Sequence, residues 1–156
     1  MELQYRISAG AIIIHKDKIL LVKYSDGPGG NSYLVGPGGG VERNEGLNQA
    51  VIREVREETG LEVTPRNNRI LFVEDLAMFG SRTTKVWFLC DLVGGRLSRT
   101  QGAKVEGINE VGWYSKEQLH DLVVYPPPLL SHDWDLFFRD NWETIYLEIR
   151  GADFDF

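Results

Sequence analysis

The chain has little of what would tie it to an oxidising compartment, a membrane or long nucleic acid. Its 156 residues include one cysteine, Cys90. A lone thiol forms no internal disulfide, so a reducing, cytoplasmic setting is the expectation. Cys90 falls inside the apolar run TKVWFLCDLV, the position of a buried and inert thiol. No apolar run approaches the roughly 20 residues of a membrane-spanning helix. Met1 is followed by polar residues, not by the basic and apolar regions of a signal peptide. Positive charge is also scarce: 17 Lys and Arg stand against 23 Asp and Glu, a formal net charge of -6. Neutralising long nucleic acid needs a basic face, which this balance argues against. A small anionic substrate stays open if a cation supplies the missing charge. His120 and His132 lack the partner spacing of a zinc site.

What the chain does have reads as one domain over 1–156, with neither a repeat nor a low-complexity tract. Two β-branched runs, 7–14 and 19–24, flank the polar HKDK and predict a hairpin. Tyr33-Leu34-Val35 is a short strand after a Gly-rich loop at 26–32. Helix formers dominate from Asn44 to Thr59, and Gly60 stands where a helix ends. The runs 69–79 and 84–93 form a second antiparallel pair around Gly80-Ser81-Arg82, closed by Gly94-Gly95, and EVGWYS is another strand. Ser115 and Gln118 have capping-box spacing, which predicts a helix over 115–122. YPPPLLS reads as a stiff polyproline-like connection. Ser131 opens a last helix through about Arg139, and Trp142 to Ile149 is strand or helix. The expected class is a mixed α/β or α+β sandwich.

The middle helix carries acidic residues where apolar ones belong. At about 100° per residue, Leu47, Ala50, Val51 and Val55 form one inward stripe. Glu54, Glu57 and Glu58 lie on or beside that stripe. Grouped carboxylates at a buried edge need compensation by Arg or Lys, by protons or by a bound cation. Oxygen ligands without His or Cys favour a hard ion such as Mg²⁺ or Mn²⁺. Arg53 and Arg56 offer the alternative, ordinary ion pairs on the helix surface.

The loop before the helix bears on that choice. The tetrapeptide GPGG occurs twice, at Gly27–Gly30 and at Gly36–Gly39. After the second copy, five residues separate Gly39 from Glu45, and seven more lead to Arg53-Glu54-Val55-Arg56-Glu57-Glu58-Thr59-Gly60-Leu61. The pattern G, five residues, E, seven residues, R-E-U-x-E-E-x-G-U over 39–61 resembles the box of the Nudix hydrolases, the MutT-like family, at every specified position. The first GPGG lacks the Gly-Lys-Ser/Thr of a phosphate loop and reads as a connection beside the substrate entrance.

That resemblance implies an α/β fold, the Nudix-type α/β/α sandwich with a mixed central β-sheet. It implies a divalent-metal-dependent hydrolase, with Mg²⁺ or Mn²⁺ as cofactor. Such an enzyme cleaves the phosphoanhydride of a nucleoside diphosphate linked to another moiety, by attack of metal-activated water. A nucleoside triphosphate or modified nucleotide is the default substrate, and the protein is read as a monomer or homodimer. Carried over by position, Glu54, Glu57 and Glu58 are metal ligands, with Gly38 presenting its carbonyl. Glu54 and Glu57 are also catalytic candidates, with Arg53 as an orienting ion-pair partner. Glu45 serves either the helix dipole or the metal shell. Glu106 is the candidate acid from a later loop, with Glu110 second. Lys23, Tyr33 and Gly39 are candidates for substrate contact, and Tyr33, Phe79, Trp87 or Trp113 for stacking on a base.

The chain departs from the family pattern at Gly36, where a bulky apolar residue is common, and at Asn44, where Gly is common. A catalytically weak nucleotide-binding or regulatory module is the alternative, but such a module is expected to have lost a box carboxylate. A prenyl-diphosphate isomerase would want a reactive cysteine at its pocket.

Overall fold

The computed structural model describes residues 2–25, 27–78 and 80–151. Two hairpins form its frame. The first joins β1 (Gln4–His15) to β2 (Lys18–Tyr24). Its turn residues Lys16 and Asp17 have φ of 51° and 61°, the left-handed pair that a two-residue hairpin loop requires. The turn is therefore Lys16-Asp17 alone, and both flanking residues of HKDK are strand.

The second hairpin, β5 (Leu61–Met78) with β6 (Ser81–Gly95), is longer than the pattern predicts. β5 starts directly after Gly60, eight residues before the predicted run at 69–79, and passes through Pro65–Asn68. Asn67 and Asn68 take φ of 52° and 50°, and the register shifts between Pro65 and Ile70. The sheet thus absorbs these residues as a bulge without ending the strand. Ser81 already belongs to β6, and Gly94 and Gly95 pair with Glu62 and Leu61 instead of closing the hairpin. Phe79 lies outside the described residues.

Five shorter strands complete the sheet: β3 (Tyr33–Val35), β4 (Gly38–Gly40), β7 (Glu110–Ser115), β8 (Val124–Tyr125) and β9 (Ile145–Gly151). The strand order is β8-β3-β2-β1-β6-β5-β9, with β4 on β1 and β7 on β2. The sheet is mixed, because β1 with β6, β3 with β8 and β5 with β9 are parallel. β1 and β2 pair only beside their turn, at Ile14–Ile19 and His15–Lys18, so the sheet splays into two leaves.

Ser8 to Ile13 are all buried because β1 is covered on both faces. Ala9, Ala11 and Ile13 pack with Ala50, Val51 and Val55 of α1 (Leu47–Thr59). Ile12 faces the other way, into a core between the leaves with Phe72, Trp87 and Phe137. This is an α/β fold with a curled mixed sheet, as expected.

The layer opposite α1 is made of short turns, not of the helices expected at 115–122 and 131–139. The Ser115–Gln118 capping bonds do form, at 2.8 and 3.3 Å. They start only a 3-10 turn, Glu117–Leu119, before Asp121 takes φ 65°. Pro128 begins α3 (Pro128–Ser131), so the proline run is partly helical and not an extended connection. His132 then turns extended, and the Asp133 side chain accepts from Asp135 N at 3.1 Å to start a 3-10 turn, Trp134–Phe138. Trp142 to Ile149 resolves into β9, beginning at Ile145.

Gly36 has a packing reason to lack a side chain. A Cβ there would lie 2.6 Å from Trp87 Cζ3 and 2.7 Å from the Ala11 carbonyl oxygen. The Trp87 indole and the β1 backbone thus fill the space beside Gly36. Gly36→Leu is expected to cost about 1–3 kcal/mol through overpacking. Thermal denaturation reads this as a drop of roughly 2–4 °C per kcal/mol. Asn44 is not among the residues with positive φ, so its turn has no need of glycine.

Candidate active site

α1 starts at Leu47, three residues later than predicted, with extended Gly46 as its cap. The Gln49 side chain accepts from Gly46 N at 2.8 Å. At the other end Gly60, at φ 77°, donates to the Arg56 carbonyl and stops the helix. The three carboxylates are placed unequally. Glu58 is 2 % exposed, the Glu54 side chain 12 % and the Glu57 side chain 51 %. Only Glu58 sits inside the apolar stripe; Glu54 is at its edge, and Glu57 projects toward solvent.

Arg53 organises this group. Its Nε and Nη2 donate to the Glu45 carboxylate at 2.9 and 2.6 Å, and Nη2 also reaches the Gly40 carbonyl at 3.0 Å. Nη1 is thereby aimed at Glu54 Oε1 (3.0 Å) and Glu57 Oε2 (3.2 Å). Glu45 is held from behind by Glu42 N at 2.9 Å, and its carboxyl lies below the usual range because of its bonds to Arg53. The first box Glu therefore anchors Arg53, and Arg53 orients Glu54 and Glu57.

Glu58 has different surroundings. Gly38 N donates to its Oε2 at 3.2 Å. Burial, and then the neighbouring Glu54, push its carboxyl well above the ordinary value. Burial raises Glu54 as well, with Arg53 opposing. A Cβ on Gly39 would lie 2.6 Å from Glu54 Oε1, so the bare backbone is what lets the loop approach the carboxylate.

A short helix missed in the sequence, α2 (Gln101–Val105), packs on the end of α1. Thr100 caps it by accepting from Ala103 N at 3.0 Å, and the Thr100 hydroxyl donates to the Glu57 carbonyl. Glu106 is the C-cap of α2. Its carboxylate acts with Glu58 and Glu54 on the Tyr24 hydroxyl, whose pKa is raised above all by burial.

Beside them lies a cavity of about 250 Å³. Gly38 and Glu58 contribute to its lining, as do Tyr24, Tyr33 and Tyr125. Tyr33 stacks on Tyr24 with centroids 5.3 Å apart and meets Tyr125 edge-on at 5.7 Å. Glu74, Lys85, Trp87 and Arg150 also face the cavity. Lys85 Nζ lies 4.2 Å from the Trp87 ring centroid. Burial lowers the Lys85 pKa, opposed by Glu74, Glu58 and Glu54 in that order.

A NUDIX domain model matches residues 4–137. The chain belongs to the Nudix family. Among curated relatives of this Nudix chain is an ADP-ribose pyrophosphatase of Methanocaldococcus jannaschii. It is 38% identical over 95 residues, 59% of this chain and 54% of that protein. The 8-oxo-dGDP phosphatase NUDT18 of Danio rerio is 32% identical over 126 residues, 80% of this chain and 34% of that protein. The chain thus spans about half of the first relative and a third of the second. An ADP-ribose pyrophosphatase structure from Streptococcus suis superposes with a TM-score of 0.66 at 24% identity, covering 93% of this chain and 98% of that one. A Nudix hydrolase from Nitrosomonas europaea gives 0.71 at 21%, covering 97% and 81%. At such identities the likeness concerns the fold.

The structure brings together Arg53, Glu54, Glu57, Glu58, Gly38 and Gly39, and sets Glu106 and Tyr33 beside them. It does not bring Lys23, which alternates along β2 with the cavity-lining Val22 and Tyr24 and stands 3.9 Å from Glu110. That pair is a cross-strand contact between β2 and β7, so Glu110 is occupied as well. Trp87 lines the cavity but is wholly buried, with its Nε1 bonded to Glu74 and Lys85 over its ring; it is not available as a stacking platform. Trp113 packs with the α1 core instead. The first GPGG lies against Tyr33: a Cβ on Gly27 would be 2.4 Å from its ring. Among the described residues no three His, Cys, Asp or Glu groups stand close enough to hold an ion as they are. Arg53 Nη1 stands between Glu54 and Glu57. Among the described residues no helix is long and apolar enough to cross a membrane.

Proposed function

We propose that this protein is a divalent-metal-dependent hydrolase of phosphoanhydrides, acting on a nucleoside diphosphate linked to a further group. The observation that carries the reading is the Glu54–Glu58 pair, raised by burial, with Glu58 lining a cavity walled by tyrosines. Acidic groups kept at a desolvated edge suit a hard cation, and the donor set is all oxygen. Glu54, Glu57 and Glu58 would hold the ion, with the bare backbone at Gly38 and Gly39 beside it and Glu106 completing the acidic rim. When bound, Mg²⁺ or Mn²⁺ supplies charge neutralisation for the diphosphate and lowers the pKa of water.

The chain's own groups do the rest. Glu45 fixes Arg53 by two bonds, so Arg53 orients Glu54 and Glu57 without swinging away. A carboxylate accepts the proton of the attacking water. Glu57 suits that role because it is half in solvent and bound only through Arg53. Tyr24, Tyr33 and Tyr125 form the side on which a nucleoside rests, and the apolar cavity excludes bulk water.

The test is product release from a panel of ADP-ribose, 8-oxo-dGDP and the common nucleoside triphosphates, with Mg²⁺ or Mn²⁺ and with EDTA. The expected result is turnover of at least one member, abolished by EDTA. No turnover of any, or turnover indifferent to EDTA, contradicts the reading.

A further inference from the structure

One side of the cavity carries a polar pair that hydrolysis does not use. Glu74 is 2 % exposed. Trp87 Nε1 donates to its Oε1 at 2.9 Å, and Arg150 Nη2 to its Oε2 at 2.9 Å. The Arg150 guanidinium lies over Tyr125, with Cζ 4.2 Å from the ring centroid. Stacking and the ion pair hold the guanidinium from two directions. Its Nη1 is nevertheless buried, with no hydrogen-bond partner among the described residues. A buried donor left unsatisfied is costly, and in native proteins it usually has a use.

The acceptor it lacks is a neutral oxygen, not a phosphate. Arg150 is already paired with Glu74, and that carboxylate would repel a second anion beside it. Val22, Val35 and Leu76 line the same cavity with the tyrosines, which suits a flat ring. Each oxygen of Glu74 accepts one bond from this chain, and a carboxylate has about four acceptor positions. The pair therefore offers a donor on Arg150 next to spare acceptor capacity on Glu74. The complementary edge is a carbonyl oxygen next to a ring N–H. Hypoxanthine, guanine, uracil and thymine have that edge; adenine and cytosine place an amino group where the carbonyl must be.

We propose that Arg150 and Glu74 read the nucleobase, and that they select keto bases over amino bases. This rests on the nucleotide reading above, so the test has one arm that needs no hydrolysis. Inosine and adenosine nucleotides differ at the edge in question and share the sugar and phosphates.

The first arm is thermal stabilisation by IMP against AMP with Mg²⁺, since neither carries an anhydride. The second is kcat/KM for ITP against ATP. Wild type is expected to favour the inosine member by roughly 10- to 100-fold in apparent affinity and in kcat/KM, the discrimination of a good two-point base contact. Arg150→Gln is expected to bring the ratio to about one by weakening the inosine member alone, mainly through KM. Because that change leaves Glu74 short of a partner, Arg150→Lys is the companion. It keeps the positive charge beside Glu74 but has one nitrogen where the guanidinium has a planar fork of two, so it cannot hold Glu74 and a base carbonyl in the same geometry, and it is expected to lose the preference as well.

Equal handling of inosine and adenosine by wild type overturns the proposal, as does a preference that survives Arg150→Lys. Turnover without base preference leaves the hydrolase reading intact and removes this one. IMP-selective stabilisation without turnover does the reverse.

Discussion

Glu57→Gln is expected to lower metal-dependent turnover by about 10²–10⁴-fold, the range attributed to a positioned proton acceptor, while leaving the fold almost untouched. The two halves of that result come from one geometric fact. The Glu57 side chain is 51 % exposed and makes one bond, to an Arg53 that Glu45 also holds. Losing an exposed ion pair costs about 0–1 kcal/mol, a shift of roughly 4 °C or less in melting temperature. A steady-state assay with and without Mg²⁺, run beside a thermal melt, separates chemistry from stability. Activity within tenfold of wild type removes Glu57 from the mechanism.

Glu58→Gln is expected to act in the opposite sense on the metal-free protein, raising its stability at neutral pH. The Glu58 carboxyl is raised by burial and by Glu54 above the ordinary value of 4.5. Between the ordinary and the raised value the native state holds a proton that the unfolded chain has released. Stability therefore falls as pH rises through that window. A neutral Gln resembles the protonated form and keeps an acceptor for Gly38 N. The variant should melt higher near pH 7, show a flatter pH profile, and no longer gain stability from Mg²⁺. In wild type the Mg²⁺-induced rise should grow with pH, because the ion meets the ionised form. Calorimetry across the pH range with and without Mg²⁺ reads all three. A wild-type stability that climbs with pH through the same window contradicts this account of Glu58.

Much of the frame was legible in the sequence because local pattern decides it. The β-branched runs on either side of HKDK needed only a two-residue turn, and Gly60 marked the helix end by its tolerance of positive φ. The start of β5 was not legible because Pro65 to Asn68 carry turn chemistry that a bulge also uses, and only β6 across the sheet shows that the strand continues. Ser115 and Gln118 misled in another way. The cap is local and forms, but a longer helix needs the next residues to stay helical, and Asp121 takes a left-handed φ.

The candidate site divides along the same line. Arg53, Glu54, Glu57 and Glu58 sit on one helix, where spacing alone brings them together. Glu74 opposite Lys85 follows from the hairpin once Met78 faces Ser81, so that pair was readable in principle. Arg150 was not: its bond to Glu74 spans 76 residues and depends on β9 lying parallel to β5. Lys23 was misplaced because strand alternation, not charge, decides which residue looks into the cavity.

The parallel seating of β9 on β5 has a consequence for how the protein is made. On the ribosome, the helix with its carboxylates and the hairpin of β5 and β6 emerge first, and β9 is the last described strand to appear. Until it docks, β5 from Phe72 to Ala77 shows an open hydrogen-bonding edge, the kind of edge on which nascent chains associate. Glu74 meanwhile lacks the guanidinium that neutralises it. The Arg150–Glu74 ion pair and the cover of the β5 edge therefore form together, when β9 docks.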